Sequence, residues 1–242
     1  MGRLVWTYSW LSLVLSLAAC AIPSGDVLRI AAATSLRQPA LELEQLLEPT
    51  TTVEVSIAAS GTLVRQVEAG VVYDLLLAAA PWPIEELESQ DLTYGSPLTL
   101  ATNRLVVVSR DPALTLLRIA NGGGQLAIGD PRYVPAGRYA QLALEQSQLL
   151  GHFEGRLVLA ADVAAVAAHV QAGSVEAGFI YQTEAKMFPA LHQVETAQLH
   201  RLPQVVAVRL AGGRTDLADR ALQVLRSPAG HELFSRHGFE PQ

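Results

Sequence analysis

The amino-acid sequence predicts an α/β fold of two lobes, each a mainly parallel sheet flanked by helices. Short apolar runs alternate with amphipathic stretches along most of the chain, a pattern typical of βαβ units. Two such series follow one another, and a further strand and two helices at the end of the chain can return to the first series. Hydrophobic residues make up 50% of the sequence, which is ample for a buried core.

The first series contains strands and helices in strict alternation. In chain order the predicted elements span residues 27–33, 38–47, 52–58, 61–69 and 72–79. Val53, Val55 and Ile57 alternate with polar residues, which is the period of a strand with one buried face. The helix at 38–47 is predicted from the spacing of its leucines.

The second series also combines strands and helices. Its predicted strands and helices are residues 104–109, 125–128, 135–150, 163–172 and 177–180. Pro135 suits the first turn of a helix, where a backbone N–H would have no partner in the helix. Asp162 is a predicted N-cap for the helix that begins at 163, because a carboxylate there accepts a hydrogen bond from a first-turn amide.

The end of the chain predicts a strand and two helices, at residues 205–210, 215–225 and 229–237. Because this strand can return to the first series, we expect two crossings between the lobes, near residues 101–106 and 202–206. The first lobe is then expected to comprise residues 27–102 together with 206–242. The second lobe is expected to comprise residues 103–205.

The start of the chain has the pattern of a bacterial lipoprotein signal peptide over residues 1–19. Arg3 precedes an apolar stretch of about 14 residues, which is short of the ~20 needed to span a bilayer. Small residues then lead to Cys20, the single cysteine of the chain and the predicted site of lipid attachment. We therefore expect an exported, membrane-anchored lipoprotein that faces the periplasm or the cell exterior. A retained transmembrane anchor and an ordinary signal peptide cleaved elsewhere are the alternatives.

Composition and motifs argue against several classes of function. The net charge of −6 and the single lysine argue against a nucleic-acid-binding protein. There is no phosphate-binding loop, nucleophile elbow or zinc-protease motif. The 6 histidines lack the spacing of metal ligands, and a lone cysteine excludes cysteine-based zinc and iron–sulfur sites. We expect no metal site, no cofactor and no enzyme activity; a lipid-anchored hydrolase using Ser35 or Ser60 is the alternative of a different class.

Small residues and hydroxyls recur where three predicted strands end and a helix follows, at residues 31–36, 58–63 and 129–137. Helix N-termini expose unpaired N–H groups and carry partial positive charge. Several of them directed at one point form an anion site without lysine or arginine. In open α/β sheets the ligand crevice lies at the carboxyl ends of the strands, where these turns are predicted. The alternative is that Ser35 and Ser60 are simple N-caps.

These turns resemble those of the molybdate-binding proteins of bacterial ABC importers. The first two matching segments are Ala32-Ala33-Thr34-Ser35-Leu36 and Ala59-Ser60-Gly61-Thr62-Leu63. The most specific match is Gly129-Asp130-Pro131 followed by Val134-Pro135-Ala136-Gly137. Ala161-Asp162-Val163, Ala177-Gly178-Phe179-Ile180-Tyr181 and the closing segment 234–239 also match. The resemblance therefore runs from Val27 to Phe239, essentially the whole chain after the signal peptide.

The resemblance implies the type II fold of periplasmic binding proteins, with hinge crossovers between two lobes. It also implies high-affinity capture of molybdate or tungstate and delivery to an ABC permease. The implied oxyanion ligands are Ser35, Ser60, Ala136, Val163 and Tyr181. We further expect a monomer that is held at the membrane only by its lipid anchor.

Three positions depart from the family pattern. Thr34 stands where a smaller residue is usual, and it adds a hydroxyl or tightens the site. Gly61 stands where serine is common, so one hydrogen-bond donor is lost. Arg138 follows the Val-Pro-Ala-Gly turn and is expected to bring positive charge near the mouth of the site.

Other functions are compatible with the same pattern. A binding protein of the same fold for sulfate, iron or an organic anion is the first alternative. An iron binder needs clustered tyrosines, whereas only Tyr181 lies in a matching turn, with Tyr133 and Tyr139 near another. A purely structural envelope lipoprotein is the last alternative.

Overall fold

The computed structural model describes residues 26–47, 49 and 51–242. The predicted signal peptide at 1–19 and the predicted lipid attachment at Cys20 lie outside these residues. Within the described part of the chain, no helix combines the length and the apolar character that crossing a membrane requires.

The described residues form alternating strands and helices. In chain order the strands are β1 (Asp26–Ala33), β2 (Thr51–Ala58), β3 (Leu75–Ala78), β4 (Thr93–Thr102), β5 (Leu105–Ser109), β6 (Leu126–Gly129), β7 (Leu157–Ala160), β8 (Ala177–Tyr181), β9 (His192–Thr196), β10 (Gln204–Leu210) and β11 (Glu240–Pro241). The helices are α1 (Arg37–Glu42), α2 (Ser60–Glu68), α3 (Trp82–Glu88), α4 (Leu116–Gly122), α5 (Pro135–Gln146), α6 (Val163–Ala172), α7 (Gln182–Ala185), α8 (Thr215–Arg226) and α9 (Pro228–Arg236). Short 3-10 helices occupy Thr34–Leu36, Leu43–Leu46 and Leu150–Phe153.

The first sheet, as far as the chain is described, has six strands in the order β11-β4-β10-β3-β1-β2. β1 runs parallel to β2 and β3. β10 lies between β3 and β4 and runs antiparallel to both. β10 comes from near the end of the chain, so its insertion returns the chain to the sheet in which it began.

The second sheet has five strands among the described residues, in the order β7-β6-β8-β5-β9. β6 runs parallel to β7 and β8, and β5 runs antiparallel to β8 and β9. The predicted α/β fold class is confirmed. Each sheet is mixed, however, because antiparallel strands extend the parallel set that the βαβ alternation predicts.

Several elements differ from the sequence-based expectation. The helix expected at 38–47 is shorter, since α1 ends at Glu42 and a 3-10 helix continues the chain to Leu46. The sequence does not predict β4, because its first half is exposed and contains Gly95 and Pro97, residues typical of loops. β7 and β9 are short and only partly buried, so they lack the apolar alternation that identifies a strand.

The central strands are buried on both faces. Every residue of β3, β5, β6 and β8 is buried, and helices cover the sheets. Strands that are buried on both faces appear in sequence as continuous apolar runs rather than as alternating ones. Leu105–Ser109 and Leu126–Gly129 are therefore predicted well from the sequence.

Two chain segments connect the sheets, one between β4 and β5 and one between β9 and β10. The backbone N–H of Asn103, in the first segment, donates to the carbonyl of Pro203 in the second at 2.8 Å. The buried Asn103 side chain also donates from Nδ2 to the Thr183 hydroxyl, with an N–O distance of 3.0 Å. Asn103 thus links both connections to α7.

Candidate functional site

The candidate site lies where the carboxyl ends of strands from both sheets meet the first turns of helices. In the first sheet, β1 leads into the 3-10 helix at Thr34–Leu36, and β2 leads into α2 at Ser60. In the second sheet, β6 precedes α5 at Pro135, β7 precedes α6 at Val163, and β8 ends at Tyr181. Because helix N-termini carry N–H groups and partial positive charge, this region suits an anion.

Ser60 and Tyr181 come from different sheets and meet on one residue, Ala79. The Ser60 side chain is fully buried, and its Oγ accepts a hydrogen bond from the Ala79 N–H at 3.3 Å. The Tyr181 hydroxyl donates to the Ala79 carbonyl, with an O–O distance of 3.2 Å. Two of the residues expected from the sequence are therefore brought together, through a third residue that the sequence analysis does not single out.

The Tyr181 hydroxyl is held in its protonated form. Burial raises the pKa of Tyr181 well above its ordinary value, and the nearby Tyr139 and Glu184 raise it further. A neutral phenol donates a hydrogen bond, whereas a phenolate only accepts one. Tyr181 is thus available as a donor throughout the neutral pH range.

The interpretation of Ser35 and Ser60 as simple N-caps is wrong. Ser60 is the first residue of α2, whose N-cap is Ala59 and makes no side-chain cap hydrogen bond. Ser35 lies inside the 3-10 helix, whose N-cap is Ala33 and likewise makes none. The hydroxyls therefore do not have the role that most easily explains serines at such turns.

The start of α5 is packed closely against the end of β6. A Cβ atom on Gly137 would overlap the carbonyl of Gly129, so this position needs glycine for the close approach. The N-cap of α5, Val134, makes no side-chain cap hydrogen bond, and Pro135 has no N–H. Ala136 is buried and supplies the first amide N–H of the helix.

The start of α6 has a side-chain cap. The Asp162 carboxylate accepts a hydrogen bond from the Ala165 N–H at 2.8 Å, which confirms the predicted N-cap. Val163 follows as the first residue of α6 and is buried. α6 contacts the 3-10 helix that holds Ser35, so these two predicted residues lie on neighbouring elements.

Gly61 permits a direct backbone contact between the two halves of the site. Its N–H donates to the Tyr133 carbonyl at 2.9 Å. A Cβ at position 61 would lie 2.8 Å from the Tyr133 Cα, which is closer than real Cβ contacts. A serine at this position would therefore push the loop before α5 away from α2.

Arginines and aromatic rings line the junction outside this contact. The Arg65 guanidinium lies 3.7 Å from the centroid of the Tyr133 ring. Arg138 lies 4.6 Å from the Trp82 ring, and Trp82 in turn packs on Tyr139 with ring centroids 4.8 Å apart. Arg138, which is expected to bring positive charge near the mouth of the site, thus packs on Trp82. Trp82 follows β3 of the first sheet. Stacked cation–π pairs of this kind stabilise the approach of the two halves.

Two residues of this region are not anticipated from the sequence. Ala79 contributes only backbone atoms, so its side chain carries no signal. Glu184 is buried on α7, three residues after Tyr181. Its one local signal is the spacing itself, because glutamate three residues after a helix N-cap is a common capping position.

The described residues contain no cluster of three or more His, Cys, Asp or Glu side chains able to hold a metal ion. The residues at the strand ends instead supply hydroxyls and backbone amides. Such groups donate hydrogen bonds, which matches the needs of an oxyanion rather than of a bare cation.

The chain matches the family model of bacterial extracellular solute-binding proteins over residues 28–240. It is 30% identical over 196 residues to the molybdate-binding protein ModA of Escherichia coli, covering 76% of each chain. It is 31% identical over 203 residues to ModA of Haemophilus influenzae, covering 79% of this chain and 80% of the relative.

A solved structure of the substrate-binding domain of a molybdenum ABC transporter from Clostridium difficile shares the fold. It superposes with a TM-score of 0.68 at 26% identity, covering 88% of this chain and 98% of that domain. The family-model match over residues 28–240 includes every strand end described above. On the family model and these relatives, the chain belongs to the family of bacterial extracellular solute-binding proteins.

Proposed function

We propose that this protein captures molybdate or tungstate outside the cytoplasmic membrane and delivers it to an ABC permease. The observation that carries the proposal is the convergence of Ser60 and Tyr181, from different sheets, on Ala79. The relatives named as molybdate-binding proteins support the same ligand.

The proposed oxyanion ligands are the Ser35 and Ser60 hydroxyls, the Tyr181 hydroxyl and the amides of Ala136 and Val163. Because the Ser60 Oγ accepts a hydrogen bond from Ala79, its own hydrogen is directed elsewhere and can be donated to an anion. Tyr181 donates to a backbone carbonyl in this structure, and an oxyanion oxygen is the better acceptor because it is charged. Every proposed ligand is a donor.

A site that offers only hydrogen-bond donors discriminates between anions by their protonation state. Molybdate is a fully deprotonated dianion at neutral pH and offers only acceptors. Hydrogen phosphate brings a proton that needs an acceptor, and leaving that proton unpaired costs about 1–3 kcal/mol. Sulfate has the same pattern of acceptors and is smaller, so the dimensions of the closed site must exclude it.

We propose that the two sheets belong to two lobes that close over the anion. The proposed lobes are residues 27–102 with 206–242, and residues 103–205. In support, the strands before Asn103 and the last two strands pair in one sheet, and the strands between pair in the other. The Asn103–Pro203 hydrogen bond then lies at the hinge, where both connections run side by side.

We further propose that the protein acts as a monomer without catalytic activity and is anchored by lipid on Cys20. The Ser60 Oγ contacts a backbone amide, whereas a nucleophilic serine needs a general base within hydrogen-bond reach. The family to which the chain belongs is extracellular, in keeping with export. Mass spectrometry of the mature protein tests the anchor, which requires a diacylglyceryl group on Cys20 at the new N-terminus.

Thermal unfolding in the presence of four anions tests the ligand. A ligand that binds only the folded state stabilises it by about 4 kcal/mol at a thousand times its dissociation constant. Millimolar molybdate and tungstate are expected to raise the melting temperature by several degrees, whereas sulfate and phosphate leave it unchanged. The proposal fails if all four anions have the same effect or none has any.

A further inference from the structure

A second feature of the structure lies beside Ser35. A cavity of about 470 Å³ is lined there by elements that precede or follow strands of both sheets. Thr34, Ser35 and part of α1 and α9 line it from the first-sheet side. Asp162, Thr183 and Glu184 line it from the second-sheet side. Its walls therefore separate whenever the two sheets move apart.

Glu184 is an unusual residue in this wall. It is only 2% exposed, although glutamate is rarely buried without a partner. Its Oε2 has no hydrogen-bond partner among the described residues. It lies on α7, which begins directly after Tyr181, so it is coupled to the proposed oxyanion site through one short helix.

Other charged groups line the cavity or lie on the elements packed around α7. Asp162, at the start of α6, adds negative charge on the same wall. Lys186, at the end of α7, lines the cavity with its Nζ against the backbone of Gly238. Arg104, before β5, pairs instead with Glu240 at 3.0 Å.

The opposite wall supplies further basic groups, most of which are engaged. Arg236 on α9 lies 3.6 Å from the carboxylate of Glu42. His237 Nε2 lies 3.1 Å from Glu42 Oε1, although without hydrogen-bond geometry. Arg37 on α1 also lines the cavity. No ion pair with Glu184 is found among the described residues, so its charge has no direct counter-ion.

Burial without a counter-ion favours the neutral form of a carboxyl. Burial raises the pKa of Glu184 to about 8, Asp162 raises it too, and a hydrogen bond from the Tyr181 backbone opposes both. In this structure the side chain is therefore mostly uncharged at neutral pH. A glutamate that is open to water has instead an ordinary pKa of 4.5.

We propose that Glu184 couples anion capture to proton uptake: closing over the oxyanion buries this carboxyl, which takes one proton from solvent. The inference rests on the proposed function, since it needs an anion that closes the two lobes. Proton uptake also favours anion binding, because a neutral Glu184 places no negative charge beside a site for a dianion.

The direction of the pH dependence follows from the two states. The closed state has the higher pKa, so protons favour closure, and this advantage is lost as the pH rises from 4.5 toward about 8. With one proton taken up, the dissociation constant for molybdate rises about tenfold per pH unit within that interval. Above that pH interval the dissociation constant levels off, because Glu184 is ionised in both states.

Titration calorimetry with sodium molybdate at pH 7 tests the proposal, in buffers of different ionisation enthalpy such as PIPES and Tris. The slope of the observed enthalpy against the buffer ionisation enthalpy counts the protons taken up. The expected slope is about 0.9 proton per anion, because a group with a pKa of about 8 is roughly nine-tenths protonated at pH 7.

Variants of Glu184 and of two control residues test which side chain takes up the proton. Glu184→Gln is expected to bind molybdate with a slope near zero and with a dissociation constant that is flat between pH 5.5 and pH 8. His237→Gln and the exposed Glu145→Gln are matched controls that keep the wild-type slope. Tight wild-type binding with zero slope overturns the inference and leaves the proposed function intact, as does an unchanged slope in Glu184→Gln. Failure of the wild type to bind molybdate or tungstate overturns the proposed function itself. The wild-type slope is decisive without the variant, should Glu184→Gln not fold.

Discussion

The Ser60 hydroxyl and the Tyr181 hydroxyl are held on the two backbone polar groups of a single residue, Ala79. Ser60 accepts from the Ala79 N–H at 3.3 Å, and Tyr181 donates to the Ala79 carbonyl at 3.2 Å. Ala79 follows β3 directly. The backbone at the end of this strand therefore positions two side chains, one from each half of the site. Any movement of one sheet relative to the other must break or rearrange the Tyr181 bond.

Replacing Tyr181 with phenylalanine is expected to weaken molybdate binding by roughly 10- to 150-fold, since a hydrogen bond to a charged partner is worth about 1.5–3 kcal/mol. The ring stays in place, so the fold is retained. Calorimetric titration measures the effect. Tyr94→Phe is the matched control, because Tyr94 is 55% exposed and belongs to β4. Equal affinities in wild type and Tyr181→Phe would remove the hydroxyl from the site.

Replacing Ser60 with alanine is expected to weaken molybdate binding by at least about 1 kcal/mol, or about fivefold. The substitution also removes the acceptor for the Ala79 N–H, so a small loss of thermal stability accompanies it. Ser89→Ala is the control, because that exposed hydroxyl donates only to its own helix. An affinity that stays at the wild-type value would show that Ser60 supports β3 without touching the anion.

Replacing Gly61 with alanine is expected to hinder closure, because the new Cβ would lie 2.8 Å from Tyr133 Cα. Alanine is favoured over glycine in a helix by up to about 1 kcal/mol, so α2 itself is not weakened. We expect the molybdate affinity to fall roughly tenfold or more, which corresponds to a loss of about 1.4 kcal/mol or more of binding free energy. Small-angle scattering of the loaded variant is expected to show a larger radius of gyration than the wild type.

The control for this variant is Gly212→Ala, where a Cβ meets no atom within 4 Å. That substitution is expected to leave both affinity and radius unchanged. If Gly61→Ala binds and closes like the wild type, the contact with Tyr133 is not part of the closed state.

Glu184 is expected to make the molybdate-bound folded state less stable as the pH rises. Its folded pKa of about 8 exceeds the ordinary value of 4.5, so folding loses stability progressively between these two pH values. At about 1.4 kcal/mol per pKa unit, the loss between pH 5 and pH 8 is on the order of 3 kcal/mol. Urea unfolding of the molybdate-saturated protein at both pH values is expected to show this loss in the wild type and its absence in Glu184→Gln. A parallel loss in both proteins would assign the effect to other groups.

The parts of the fold that the sequence predicts are those with strong local signals. Buried strands such as Leu105–Ser109 are continuous apolar runs, and the Asp162 cap is identified by its position before an apolar helix. β4 and β9 are missed because the first half of β4 is exposed, β9 is only partly buried, and the pairing of both strands is decided by distant partners. The antiparallel addition of β10 to the first sheet is a long-range event that no local pattern encodes.

The residues of the candidate site also differ in how well the sequence predicts them. The turns around Ser35 and Ser60 stand out because small residues and hydroxyls recur at predicted strand ends. Ala79 does not, since it acts through backbone atoms that every residue possesses. The burial of Glu184 depends on α7 packing against β5 and β8, and β5 is distant along the chain, so the spacing of residues does not reveal it.

We propose that donors from both sheets form a site for a tetrahedral dianion that carries no proton. Titration calorimetry of the mature protein with molybdate, tungstate, sulfate and phosphate tests it most directly. We expect one site per chain, with molybdate and tungstate bound far more tightly than sulfate and with phosphate weakest. Sulfate binding as tight as molybdate binding, or phosphate binding that exceeds both, would contradict it.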